Sequence, residues 1–143
     1  MKLPIAYIDI RFSAHATEDP GKVQKAAHNL FPQDRLEKVI FKKGILKGHY
    51  GNPITLFEAR IKDEEMIKAF VEKLSSSLSE LDKIAISEIS SLSADKNNLY
   101  LRLDKQAALE DQFKLCTADP IHVRIHFKKK GVAEICREIG LAS

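Results

Sequence analysis

The clearest two-residue period in the chain runs from Asn98 to Asp104. Leu99, Leu101 and Leu103 alternate there with Tyr100, Arg102 and Asp104. On an extended backbone the two sets point to opposite sides, which predicts a strand with one buried and one wet face. Ile121 to Phe127 repeats the pattern, with Ile121, Val123, Ile125 and Phe127 inward and His122, Arg124 and His126 outward. Ile5 to Ala16 is a longer version. Ala6, Ile8, Ile10, Phe12 and Ala14 alternate with Tyr7, Asp9, Arg11, Ser13 and His15. Ile54 to Ile61 puts Phe57, Ala59 and Ile61 inside and Glu58 and Arg60 outside. Leu36 to Phe41 predicts a further strand with less regular alternation, and Gln112 to Cys116 a short one.

Helical spacing fills the intervals. Thr17-Glu18-Asp19-Pro20 supplies a capping side chain and a first-turn proline ahead of the stripe Val23, Ala26, Ala27 and Leu30. Phe31-Pro32 ends that helix. Asp63 opens a second, with Met66, Ile67, Phe70, Val71 and Leu74 on one face. Ser79 and Asp82 stand three apart, as in a capping box, and predict a third helix with the stripe Leu81, Ile84, Ala85 and Ile89. Gln106 to Asp111 reads as a helical turn, and Val132 to Ile139 as a closing helix stopped by Gly140. Lys42 to Pro53, KKGILKGHYGNP, reads as a loop. The order β-α-β-β-α-α-β-β-β-α predicts one α+β domain over residues 1–143, a mostly antiparallel sheet with helices packed on one face.

Composition narrows the class. Of 143 residues, 44% are hydrophobic and 30% charged, an ordinary balance for a soluble globular domain. No apolar run reaches membrane-spanning length, and Leu3 to Ile10 is broken by Pro4 and Asp9, unlike a signal peptide. A cytoplasmic protein is expected. Cys116 and Cys136 have no metal-ligand spacing and are too few for a disulfide framework, so both read as small core residues. The net charge of +3 is too small to argue for a polyanion by itself. The argument must come from where the charges fall.

They fall on the strands. The outward positions Tyr7, Arg11, Ser13, His15, Arg60, Tyr100, Arg102, His122, Arg124 and His126 would share one open face, tempered by Asp9, Glu58 and Asp104. Polar alternation is expected of any solvated antiparallel sheet. The dominance of arginine over lysine, with tyrosine beside it, turns the reading toward RNA, which is held by ring stacking and forked phosphate contacts. In the loop, Gly44, Gly48 and Gly51 allow amides to face an anion. Lys42, Lys43 and Lys47 add charge, and His49 and Tyr50 add rings. The plainer reading of the same loop is a lysine-rich hairpin whose glycines serve turn geometry. It is not a Walker loop, because the glycine-lysine-hydroxyl ending is missing. Lys128 to Lys130 reads as a solubilising guard.

Enzyme signatures are weak. There is no nucleophile elbow, dinucleotide fingerprint or zinc-protease helix. His122 and His126 on one strand stand about 13 Å apart and cannot share a metal without a bulge. His28 lies off the stripe of its helix and reads as solvated. No cofactor or metal is expected. His15 and His49 could serve as an acid–base pair for metal-independent RNA cleavage, although nothing in the sequence brings them together.

Four blocks occur in order: HATED at His15 to Asp19, GHYGNPI at Gly48 to Ile54, LYLRLDKQA at Leu99 to Ala107, and DPI at Asp119 to Ile121. With them the chain resembles, over nearly its whole length, an archaeal family of RNA-binding proteins described as predicted exosome subunits. Thr17 to Val23 and Asn29 to Pro32 are also similar to a second archaeal family of unknown function, which lacks the later blocks. The first resemblance implies the fold of the large-subunit ribosomal protein that contacts 5S ribosomal RNA, and an archaeal, cytoplasmic, RNA-linked role. The expected function is a non-catalytic RNA-binding module in RNA processing or ribosome biogenesis. By matched position it implicates Gly48, His49, Tyr50, Gly51, Asn52, Arg102, Lys105 and Gln106. With the residue-based candidates, the expected RNA contacts are these together with Lys42, Lys43, Lys47, Tyr100 and Arg124. The chain departs from the family pattern at His122, where a permanently charged residue is expected, and at Glu110-Asp111, where a glycine is expected. The expected partner is RNA, within a possible RNA-processing complex. The alternative is a protein-interaction subunit using a sheet edge or the closing helix.

Overall fold

A computed structural model describes residues 3–33, 39–47, 51–92 and 97–142. The elements, in chain order, are β1 (Ile5–Ala14), α1 (Pro20–His28), β2 (Lys42–Lys47), β3 (Pro53–Ile61), α2 (Glu64–Ser77), α3 (Glu80–Leu92), β4 (Asn98–Leu103), α4 (Lys105–Leu109), β5 (Ile121–Phe127) and α5 (Val132–Glu138). The strands form a five-stranded sheet in the order β2-β3-β1-β5-β4, antiparallel at every pairing. The expected α+β class stands, as do the inward sets of the four clean alternators except at Ala6, which is half-buried while Ile5 is buried, because the β1–β5 register shifts between Ile5 and Tyr7. Ile8, Ile10, Phe12, Phe57, Leu99, Leu101, Leu103, Ile121, Val123, Ile125 and Phe127 are all buried.

The helices cover that apolar face, with α1 and α2 on β1, α4 against α1, and α3 against α5. Stacked rings tie the layers. Phe12 lies 4.8 Å from Phe57 within the sheet, and Phe31 lies 5.4 Å from Phe70, joining the end of α1 to α2. Helix starts are fixed by side chains that accept otherwise unpaired amides. Asp19 accepts from Gly21 at 2.9 Å, Asp63 from Met66 at 3.1 Å, and Asp104 from Ala107 at 2.9 Å. Ser79 accepts from Asp82 at 3.1 Å, so the expected cap is present.

Several expectations are corrected. The strand expected at Leu36 to Phe41 lies partly outside the described residues, and residues 39–41 are not a strand. The strand runs instead over Lys42–Lys47, inside the expected loop, where it pairs with Pro53–Glu58. All six of its residues are exposed, so no burial pattern announces it; ladder hydrogen bonds hold it, and its lysines guard an edge. Gln112 to Cys116 shrinks to one bridge, Leu103 with Leu115. The stripe assigned to α3 is on the wrong side: Leu81, Ile84 and Ile89 are exposed, while Ile86 and Ser90 are buried. Ser90 can be buried because its hydroxyl donates to the Ile86 carbonyl at 2.8 Å. His28 is not simply solvated. It is half-buried, 5.3 Å from the Phe41 ring, and burial pushes its imidazole below the ordinary value. Of the cysteines, Cys136 is a core residue whose thiol burial pushes up to about 12, but Cys116 is only half-buried. At the unexpected Glu110-Asp111, Asp111 takes the left-handed conformation (φ 60°) that a glycine would adopt freely. Its carboxylate pairs with Lys73 at 2.6 Å, and the same ammonium reaches the Asn29 carbonyl.

Candidate nucleic-acid interface

The sheet register lines up the outward side chains in rows that cross the strands. One row runs Lys42, Glu58, Arg11, His122, Arg102, one residue from each of β2, β3, β1, β5 and β4. The next runs Arg60, Asp9, Arg124, Tyr100. A third, at the far end, runs Tyr7, His126, Asn98. Neighbours within a row are about 5 Å apart, and rows are about 7 Å apart. The first two rows line an open depression of about 910 Å³, which Ile40 borders. Five cations (Lys42, Arg11, Arg102, Arg60 and Arg124) stand there against the carboxylates of Glu58 and Asp9. The face therefore holds an excess of three positive charges, equal to the net charge of the whole chain.

The second and third rows are largely self-paired. Arg60 forks onto Asp9 at 2.7 and 3.0 Å, and Arg124 donates to the same carboxylate at 2.6 Å and to the Tyr7 hydroxyl at 3.3 Å. The Arg60 guanidinium lies 4.0 Å from the centre of the Tyr7 ring, and His126 stacks at 4.7 Å on the same residue. His126 in turn pairs with Asn98 at 2.8 Å. Burial would raise the Asp9 carboxyl, but hydrogen bonds from Arg60 and then Arg124 outweigh it and hold the group below its ordinary value. This cluster fixes two guanidinium planes and a ring before any ligand arrives. In the first row, by contrast, Arg11 and Arg102 make no ion pair among the described residues.

The expected contacts fall into three groups. Tyr100, Arg102, Arg124 and Lys42 share the open face; Tyr100 is 51% exposed there. Lys43 and Lys47 fall on the other side of β2 by alternation, and Lys43 lies over the Phe57 ring at 5.6 Å. Gly51 and Asn52 are exposed where the β2–β3 hairpin turns back, Gly51 with φ 79°, which glycine adopts without strain. Gln106 is exposed on α4 and donates to Glu110 at 3.4 Å. Gly48, His49 and Tyr50 lie outside the described residues.

Lys105 is bonded within the chain. Its side chain is 12% exposed and points inward, donating to the Ser13 carbonyl at 2.6 Å, Asp119 at 2.8 Å and Glu18 at 3.3 Å. His15 closes the cluster at 3.1 Å from Asp119. His15, Glu18 and Asp119 bring possible metal-ligand atoms within 4.8 Å of one another, but the Lys105 ammonium already acts as the cation between the two carboxylates. The HATED and DPI blocks are therefore joined by a strut. Arg11, Arg60 and His122 are members of the face that the list of expected contacts omits. Their signal is the alternation itself, once the strand order is known.

Comparison with known proteins gives the chain a family. Residues 7–127 match the sequence model of a family described as RNA binding. A Pyrococcus abyssi protein named as an RNA-binding protein is 38% identical, over 96% of this chain and 94% of its own length. The solved structure of a DUF54 protein from Methanothermobacter thermautotrophicus superposes with a TM-score of 0.78 at 28% identity, covering 95% of this chain and 98% of that one. A UPF0201 protein from Methanococcus jannaschii gives 0.63 at 25% identity, over 96% and 94%. Matched from Tyr7 to Phe127 and related to an archaeal RNA-binding protein over nearly its whole length, the chain belongs to the family described as RNA binding.

Proposed function

We infer that this protein binds RNA through the open face of its sheet and catalyses no reaction on it. The observation that carries the reading is the pair of adjacent cross-strand rows, where forked cations and a half-exposed tyrosine share one surface opposite the helices. Arginine forks take phosphates and the tyrosine ring takes a base, the combination that serves single-stranded or irregular RNA. The family description and the name of the Pyrococcus abyssi relative support the same ligand class. A setting in RNA processing, at an exosome or in ribosome assembly, belongs to this proposal, as do a cytoplasmic location and a likeness to the 5S-RNA-contacting ribosomal protein. These rest on the motif resemblance.

The test is titration of labelled oligouridylate with the wild type, Tyr100→Ala and Arg102→Ala. Losing a stacked base costs about 1–3 kcal/mol of affinity. Losing a phosphate contact flattens the slope of log affinity against log salt by about 0.7. Wild-type affinity and slope in both variants would contradict the assignment.

A further inference from the structure

We propose that Arg11, His122 and Arg102 form the site that holds an RNA phosphate, and that phosphate binding there draws a proton onto His122. This inference rests on the RNA reading above and places the backbone path within the face. The three residues are direct cross-strand neighbours on β1, β5 and β4, so two guanidiniums flank one imidazole, about 10 Å apart from end to end. The adjacent row spends Arg60 and Arg124 on Asp9. Arg11 and Arg102 have no such carboxylate among the described residues, which leaves them for an external anion. Glu58, opposite Arg11 on β3, Asp9, two residues from Arg11 on β1 and paired with Arg60 and Arg124, and Asp119, ahead of β5, are acidic groups near the row.

The charges around His122 set the direction of the proton change. Burial first, then Arg11 and Arg102, hold its imidazole below the ordinary 6.5, and Asp119 opposes them weakly. At neutral pH the ring of the free protein, held between two cations, is therefore mainly uncharged. A phosphate seated across the row cancels that repulsion and favours the imidazolium. The complex then binds more protons than the separate molecules, so affinity rises as pH falls through the imidazole range. The gain is about tenfold for each pH unit by which RNA raises the titration midpoint of His122.

The experiment measures the affinity of oligouridylate without a terminal phosphate from about pH 5 to about pH 8, a range in which histidine is the side chain that titrates when unperturbed. The wild type is expected to bind more tightly toward acid. His122→Ala should lose that dependence, and His122→Arg should lose it while keeping the tight, acid-side affinity. Arg11→Ala and Arg102→Ala should each flatten the salt slope by about 0.7. An unaltered pH profile in His122→Ala, with RNA still bound, would overturn the site and leave the RNA reading intact. Absence of wild-type binding at every pH would overturn both. A parallel titration with 5′-phosphorylated oligouridylate assigns the source: equal profiles mark internal phosphodiesters, and a pH effect confined to the phosphorylated strand marks a strand end.

Discussion

The Lys105 ammonium donates to a strand carbonyl, to Glu18 and to Asp119, and so links the end of β1 to the turn before β5. Lys105→Ala should lower the unfolding free energy by about 1–3 kcal/mol, as expected for lost hydrogen bonds to charged groups. Chemical denaturation measures this, and the salt slope for RNA should stay at its wild-type value. The carboxylates at the two clusters set an acid limit. Burial would raise Asp119, but hydrogen bonds from Lys105 and then His15 hold it below 3.8, and Asp9 is likewise held low by its two arginines. A carboxyl that titrates lower in the folded chain contributes stability that is fully present above about 3.8 and lost as pH falls through its folded value. Thermal melts should therefore show stability falling below about pH 4, with a shallower fall in Asp9→Asn and Asp119→Asn. The sequence marks Lys105 as notable but not as internal, because its partners lie 92 and 87 residues earlier and 14 later.

Among the elements, α3 separates what pattern predicts from what packing decides. Its apolar stripe by spacing is Leu81, Ile84, Ala85 and Ile89, of which Ala85 is half-buried and the others exposed, yet the face turned to the core carries Ile86 and Ser90. A buried serine bonded to its own helix looks polar in the sequence and hides the inner side. Ile86 is fully buried and Leu81 is 79% exposed, so their truncations should differ. Ile86→Ala should cost about 2–5 kcal/mol. Leu81→Ala should change stability by no more than about 0.5 kcal/mol, as at other exposed positions. Equal losses in denaturation experiments would restore the stripe read from spacing. The four strands with a buried side were legible because alternation is itself the record of burial. β2 was not, since an exposed edge strand needs no apolar side.

At the scale of the molecule, antiparallel order β2-β3-β1-β5-β4 is what converts separate alternations into one surface. Strand neighbours distant in sequence, Arg11 with His122 and Asp9 with both Arg60 and Arg124, become direct cross-strand pairs. The class of residue on that surface was readable strand by strand. Which residues share a row was not, because register depends on pairings that local pattern does not encode. The account stands on RNA occupying this face. Its most direct test is a nuclear magnetic resonance titration with oligouridylate, following arginine guanidinium, histidine and tyrosine ring signals. The account predicts shifts concentrated at Arg11, His122, Arg102 and Tyr100, with smaller ones at Arg60 and Arg124. Shifts confined to the helical side, with those signals unmoved, would contradict it.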